Sequence, residues 1–274
     1  MKKDVVLFSA CDSANFQYAV SFFNSLSKFH NSLEIDMLLY TTMLDKEELK
    51  KLPEGIKTID LNPFLKDDSQ FFYRQKPLIM ESLIKDYECV VGLDCDQIVF
   101  GDLSYIWKTT DYDVAGVLNY NQLDVQNYGF VQFQGILPIE YVNCGLVAIR
   151  NSKLLHEWKV WCFSPQFDRC RYREQDGLNI KIYHGNWNCR ILDHGDPIGG
   201  NLSWWGIFGK AHWHKTFLKD NKIYVPKSPD NFPKIDTELK LAHMGGGSGK
   251  KDNWGAYFPQ EVMERVNYLI SDKK

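Results

Sequence analysis

Cys89-Val90-Val91-Gly92-Leu93-Asp94-Cys95-Asp96-Gln97-Ile98-Val99-Phe100 is the stretch that decides the fold. Its first five residues are apolar on both faces, the pattern of a short, fully buried strand. Two carboxylates one residue apart, Asp94 and Asp96, close that strand, and the chain turns apolar again at Ile98. Carboxylates beside a hydrophobic strand are costly unless something neutralises them. A divalent cation shared with a diphosphate does so, because Mg²⁺-like ions are held by one or two carboxylates plus phosphate oxygens. In an open α/β sheet the carboxyl end of a strand is also where ligands bind.

Working outward, strand and helix signals alternate through the first half. Val5 to Ala10 predicts a strand, and Phe16, Ala19, Val20, Phe23, Leu26 and Phe29 recur at helical spacing. A second strand is expected over Glu34–Tyr40. Asp45 caps a short helix reaching Leu52, with Glu48 completing a capping box. A third strand follows over Ile56–Leu61, then a helix over Lys76–Asp86 with Pro77 in its first turn. This βαβαβαβ order implies a Rossmann-like, mostly parallel sheet flanked by helices. The second half is less regular. Val114–Val117 and Gly145–Arg150 predict strands, Ser152 caps a helix through Phe163, and Glu174–Tyr183 predicts another helix. Asn119–Gln134 reads as a polar, aromatic loop and 193–235 as loop-rich, and an amphipathic helix covers Glu261–Ile270. With no repeat or linker to divide it, residues 1–274 are expected to form a single domain. Residues 1–100 would be its nucleotide-binding half and 101–274 its acceptor-side half.

Bulk properties exclude several classes. The chain of 274 residues can bury a substantial core, and 44% hydrophobic with 24% charged residues is ordinary for a globular protein. A formal charge of −3 offers no basic field for nucleic acid or anionic membrane. No apolar stretch is long enough to span a bilayer, and the run after Met1-Lys2-Lys3-Asp4 is too short for a signal peptide. The 7 cysteines include no Cys-x-x-Cys pair, against both a disulfide framework and a zinc site, and favour a cytoplasmic location. Aromatic content of 14%, with 8 Trp, provides either a Trp-rich core or platforms for stacking sugars.

Four segments, in order, resemble the family 8 glycosyltransferases, which include glycogenin and bacterial lipooligosaccharide galactosyltransferases. Tyr73-Arg74 leads into a helix, a strand and Leu93-Asp94-Cys95-Asp96. Tyr141-Val142-Asn143-Cys144-Gly145-Leu146 resembles the family's Phe-Asn-x-Gly turn. Glu174-Gln175-Asp176-Gly177-Leu178-Asn179 resembles its Asp-Gln-Asp-x-Leu-Asn. His243, with a Gly- and Lys-rich stretch ending in Trp254, resembles His-x-x-Gly-x-x-Lys-Pro-Trp. The set spans nearly the whole chain, and its order makes it specific where each motif alone is weak.

The resemblance implies a GT-A fold and a retaining glycosyltransferase that uses a nucleotide-diphosphate sugar, UDP-linked, with Mn²⁺ or Mg²⁺. Asp94, Asp96 and His243 would hold the metal, an imidazole ligand suiting Mn²⁺ better than Mg²⁺. Asp94 and Cys95 would lie near the nucleotide, and Asn143 would join the donor site. Asp12 and Asn15 would grip uracil and ribose, or simply cap the Phe16 helix. Arg74 would bridge donor sugar and diphosphate with help from Lys76. Gly246 and either Lys250 or Lys251 would meet the diphosphate, although the Lys is one residue late and Asp252-Asn253 replace the family's Pro. Gln175 would lie near the anomeric carbon, with Glu174 and Asp176 beside it. An amide is a poor nucleophile, so front-face attack within an oxocarbenium-like ion pair suits it better than a covalent intermediate. Trp187-Asn188, Trp204-Trp205, His212-Trp213-His214 and Tyr120/Tyr128 are assigned to the acceptor side, the acceptor being a glycan, a glycolipid or a protein. Two other classes compete: a haloacid-dehalogenase-type phosphatase using Asp94 and Asp96, and a non-catalytic sugar-nucleotide-binding relative.

Overall fold

The computed structural model describes residues 2–65, 71–118, 141–170, 172–192, 201–203, 215–227, 235–243 and 258–272. Its main sheet has seven strands: β1 (Lys3–Cys11), β2 (Asp36–Thr41), β3 (Lys57–Asp60), β4 (Tyr87–Leu93), β6 (Val114–Leu118), β7 (Val142–Ile149) and β8 (Cys189–Ile191). The order is β3-β2-β1-β4-β7-β6-β8. The pairs β1–β2, β2–β3, β1–β4 and β6–β8 are parallel, whereas β7 runs antiparallel to both β4 and β6. The chain leaves β1 outward to β2 and β3, then returns to the other side of β1 as β4. That reversal is a topological switch point, and it opens a crevice at the carboxyl ends of β1 and β4.

Side chains of β1 alternate between two cores. Val6 and Phe8 pack with α3 (Phe71–Leu83), α5 (Ser152–Cys162) and α6 (Arg173–His184), through Ile79, Trp158 and Leu178. Val5 and Leu7 face α1 (Phe16–Ser27), through Phe22, Phe23 and Leu26. Apolar residues on both faces are what a strand covered by helices on each side requires. The short helices α2 (Lys46–Leu49) and α4 (Tyr105–Lys108) complete this half.

A second sheet was not expected. It follows β10 (Phe217–Lys219), β11 (Lys222–Val225), β12 (Thr237–His243) and β5 (Gln97–Val99), and β9 (Asn201–Ser203) also pairs with β12. Helix α7 (Gln260–Ile270) covers it, with Val262, Val266 and Leu269 on Ile98, Ile223 and Leu239. Within the span read as loop-rich, 193–200, 204–214 and 228–234 lie outside the described residues, as does the whole of the polar loop 119–134.

Three boundaries differ from expectation. Helix α3 begins at Phe71, so Pro77 stands in its interior rather than its first turn. The short helix after Asp45 stops at Leu49 instead of Leu52, although Asp45 does accept from the Glu47 and Glu48 N–H groups. The cap of α5 is Asn151 rather than Ser152: its Oδ1 accepts from the Lys153 and Leu154 N–H groups, and its Nδ2 donates to Asp113. Asn151→Ala should therefore cost about 1–2 kcal/mol in urea unfolding, and Ser152→Ala much less. Equal costs would contradict this capping geometry.

Candidate metal and donor site

Strand β4 delivers Asp94 to the crevice beside the end of β1, whose register pairs Phe8 with Gly92. After Asp96 the chain enters β5, which pairs antiparallel with β12 so that Gln97 stands opposite His243. This pairing brings an imidazole from 147 residues downstream onto the two aspartates. His243 Nε2 lies 3.0 Å from Asp96 Oδ1 and 3.5 Å from Asp94 Oδ2. Among the described residues, Asp94, Asp96 and His243 form the one group of three such side chains able to share an ion, their ligand atoms all within 4.8 Å of one another.

The spacing fits a small divalent cation. Oxygens about 2.1 Å from an ion and at right angles to each other lie about 3.0 Å apart. Two carboxylates and one imidazole suit Mn²⁺ or Mg²⁺, with positions left for phosphate oxygens. The surroundings also leave no slack for the ring. A Cβ on Gly145 would stand 2.2 Å from His243 Cε1 and Nδ1. The Gly145 carbonyl accepts from the Asp94 N–H at 2.9 Å and from Gln97 Nε2 at 2.6 Å, binding β7 to both flanks of the aspartate pair. Asn143 Oδ1 accepts from the Gly145 N–H at 2.6 Å. Asn143 thus braces the Gly145 N–H within β7.

Lys76, on α3, reaches the same place. Its Nζ donates to Asp94 Oδ1 at 2.5 Å and also to the Cys144 carbonyl. Burial alone would push its pKa down, but Asp94 and Glu174 outweigh that, and the net shift is up. Arg74 turns elsewhere. Its guanidinium lies 4.4 Å from the Phe167 ring and 5.5 Å from that of Phe163, with Nη2 3.6 Å from Asp168 Oδ1. Of the two cations read as donor ligands, Lys76 is the one brought to the aspartates.

Helix α6 contributes the amides. The Cys144 N–H donates to Gln175 Oε1 at 3.0 Å, and the Val142 N–H donates to Asn179 Oδ1 at 2.7 Å. Asn179 Nδ2 returns a bond to the Val142 carbonyl at 2.8 Å. Residues four apart on a helix rise about 6 Å, close to the ~6.8 Å between alternate strand residues. Gln175 and Asn179 therefore act on β7 as a strand would, beyond the Leu93–Leu146 pair at which β4 ends. A backbone N–H can only donate, so the atom facing Cys144 must be the amide oxygen, and the Gln175 NH₂ is turned away from that N–H.

Asp176 is fully buried. One oxygen accepts from the Tyr141 hydroxyl and the other from the Tyr172 N–H at 2.9 Å, so both are committed to the fold. Burial pushes its pKa up against those bonds. Glu174 follows Arg173, whose φ of 46° is left-handed. Glu174 Oε2 is buried and has no hydrogen-bond partner. Burial pushes this carboxyl up to about 8, against the pull of nearby Lys76.

At the end of β1, Asp12 Oδ1 accepts from Asn15 N at 2.8 Å and Asn15 Nδ2 at 2.7 Å. Asp12 thus caps the single 3-10 turn Ser13–Asn15 that precedes α1, and Asn15, at the N-cap of α1 itself, makes no side-chain capping bond to it. Cys95 is half-buried between the aspartates, and all seven cysteines are free thiols. Gly246, Lys250, Lys251 and Trp254 lie outside the described residues, as do Tyr120, Tyr128, Trp204, Trp205, His212, Trp213 and His214. The sequence reading passed over Gly145 and Gln97, although Gly145 stood within a quoted motif.

A switch-point crevice edged by an Asp-x-Asp strand end, with an antiparallel β7 beside it, gives this chain the GT-A fold. Among solved structures it is similar to the galactosyltransferase LgtC in complex with donor and acceptor sugar analogues. The TM-score is 0.63 at 18% identity, over 97% of this chain and 95% of that one. The glycosyltransferase GlyE of Streptococcus pneumoniae TIGR4 matches at TM-score 0.57 and 16% identity, over 99% of this chain and 61% of that one. Mouse xyloside xylosyltransferase 1 matches at 0.55 and 12%, over 89% and 98%. No protein-family model and no curated protein matches the sequence. No helix among the described residues is long and apolar enough to cross a membrane.

Two outcomes follow from this geometry. Gly145→Ala must displace the His243 ring and should weaken Mn²⁺ binding roughly 10- to 100-fold in calorimetry. An unchanged affinity would remove His243 from the ligand set. The second concerns pH. The folded protein holds the Glu174 proton to about pH 8, whereas the unfolded chain releases it near the ordinary value of 4.5. Between those values the native state binds more protons, so this carboxyl's contribution to stability falls as pH rises, by at most about 1.4 kcal/mol per pH unit. Glu174→Gln should flatten that part of the urea-stability profile of the metal-free protein. A profile with the same slope in both proteins would refute the raised carboxyl.

Proposed function

We propose that this chain is a retaining, metal-dependent glycosyltransferase that moves a hexose from a UDP-linked sugar to a glycan, glycolipid or protein acceptor. The observation that carries the reading is the Asp94–Asp96–His243 group at the switch-point crevice. The likeness of fold to LgtC, GlyE and xyloside xylosyltransferase 1 supports it. A divalent ion bound there would neutralise charge on the departing diphosphate. Asp94 and Asp96 hold that ion, and His243 completes its shell from the β12 side. The Asp12–Asn15 loop takes the uridine end of the donor, at the mouth of β1.

Gln175 serves as a positioning group rather than a nucleophile. With its oxygen turned to the Cys144 N–H, it offers the sugar a hydrogen-bond donor, and an amide is in any case a weak nucleophile toward carbon. Asp176 is excluded as a nucleophile by its two internal hydrogen bonds. Attack by the acceptor on the face that the diphosphate leaves, through an oxocarbenium-like ion pair, fits such a site and keeps the anomeric configuration. Glu174, whose carboxyl burial pushes up to about 8, brings less negative charge to the site than an ordinary glutamate.

UDP with Mn²⁺ should raise the melting temperature, a ligand at 100-fold its Kd adding about 2.7 kcal/mol. GDP, ADP and CDP should do less, and Asp94→Ala or Asp96→Ala should abolish the shift. A panel of nucleotide sugars followed by mass spectrometry identifies the donor, and NMR of fresh product reads its anomeric proton. An inverted product would overturn the retaining mechanism. Hydrolysis of simple phosphate esters without sugar transfer would favour the phosphatase, and stabilisation by UDP without turnover of any donor the non-catalytic relative.

A further inference from the structure

We infer that Lys76 is a built-in counter-ion that makes metal binding depend on the nucleotide, so that the ion and the diphosphate enter this site as a pair. The inference rests on reading the site as a metal and diphosphate site, and it assigns to Lys76 a task other than gripping the donor. Lys76 Nζ occupies Oδ1 of Asp94, while Oδ2 of the same carboxylate faces His243. One oxygen of Asp94 therefore remains for an ion, and the ammonium stands on the far side of that carboxylate. It has little freedom to withdraw. Its side chain is only 15% exposed, and it also donates to the Cys144 carbonyl, on the strand that Gln175 secures from α6.

Charge then decides the order of events. Asp94, Asp96 and Lys76 together carry one net negative charge, and an imidazole that ligates through a ring nitrogen adds none. A divalent ion alone would turn that into a net positive charge, with two cations facing each other across one carboxylate in a desolvated cleft. The negative charges of a diphosphate restore the balance. Without Lys76 the two aspartates would match the divalent ion by themselves, and the nucleotide would have nothing to correct. By linkage, the factor by which the nucleotide tightens the metal is the factor by which the metal tightens the nucleotide.

The test is calorimetric titration of Mn²⁺ into the full chain, with and without saturating UDP. Wild type should bind Mn²⁺ weakly alone and at least tenfold more tightly with UDP, within the usual range of coupling between sites. Lys76→Met should bind Mn²⁺ alone about tenfold more tightly than wild type and lose most of the gain from UDP. Lys76→Arg keeps the charge and should keep the coupling. Should the Met variant not fold, as judged by circular dichroism, Lys76→Gln carries the same comparison, since it is uncharged and its polar amide can donate toward the Cys144 carbonyl. If the neutral variant binds Mn²⁺ no more tightly than wild type, or retains the full UDP dependence, the counter-ion role is wrong. If wild type binds no Mn²⁺ with or without UDP, the metal reading itself fails, a result distinguishable from the first.

Discussion

Two carboxylates at the end of a buried strand repel each other and resist losing water, and much of this site's architecture answers that constraint. Asp94 has a lysine on one oxygen and a histidine by the other. Asp96 has the same histidine at 3.0 Å. Each partner comes from a different part of the chain: Lys76 from the helix before β4, His243 from the last strand of the second sheet. The second sheet is therefore more than an appendage. Its pairing of β12 with β5 is what allows an imidazole to reach the Asp-x-Asp end, and a slip of one residue would turn His243 to the opposite face.

Backbone satisfaction imposes the next demand. Beyond Leu146, where the pairing of β7 with β4 ends, Val142 and Cys144 would leave polar groups unpaired in a buried layer. The amides of Gln175 and Asn179 meet them, so the helix carrying the proposed sugar-contacting residue is docked by hydrogen bonds to the strand beneath the candidate metal site. The same bond that fixes α6 also fixes which end of the Gln175 amide can face a ligand. Position and chemistry at residue 175 are thus set together.

Much of this was legible in the sequence where burial produces a pattern. Val5–Ala10, Cys89–Leu93 and the Phe16 helix are covered by core on defined faces, and their apolar spacing announces it. Strands such as β9, β10 and β11 are too short to show an alternation, so the second sheet was hidden. Pro77 looked like a helix start because Pro is common there, yet packing of Ile79 and Met80 in the core carries the helix through it. At Asn151 and Ser152 two good capping types stood side by side, and only the folded geometry, with Asn151 accepting from the Lys153 and Leu154 N–H groups and donating to Asp113, distinguishes them.

The candidate site divides the same way. Asp94, Asp96 and His243 were legible because metal ligands are a chemical type in a recognisable order. Lys76 and Arg74, two residues apart, could not be ranked by type alone; on a helix they point in different directions, and only α3's placement decides which meets Asp94. Gly145 carried no chemical label at all. Its importance is the absence of a side chain, which lets a strand carbonyl bind both Asp94 and Gln97 while the imidazole of His243 packs against its α-carbon. A residue whose role is to leave room becomes visible only once the neighbours that need the room are in place.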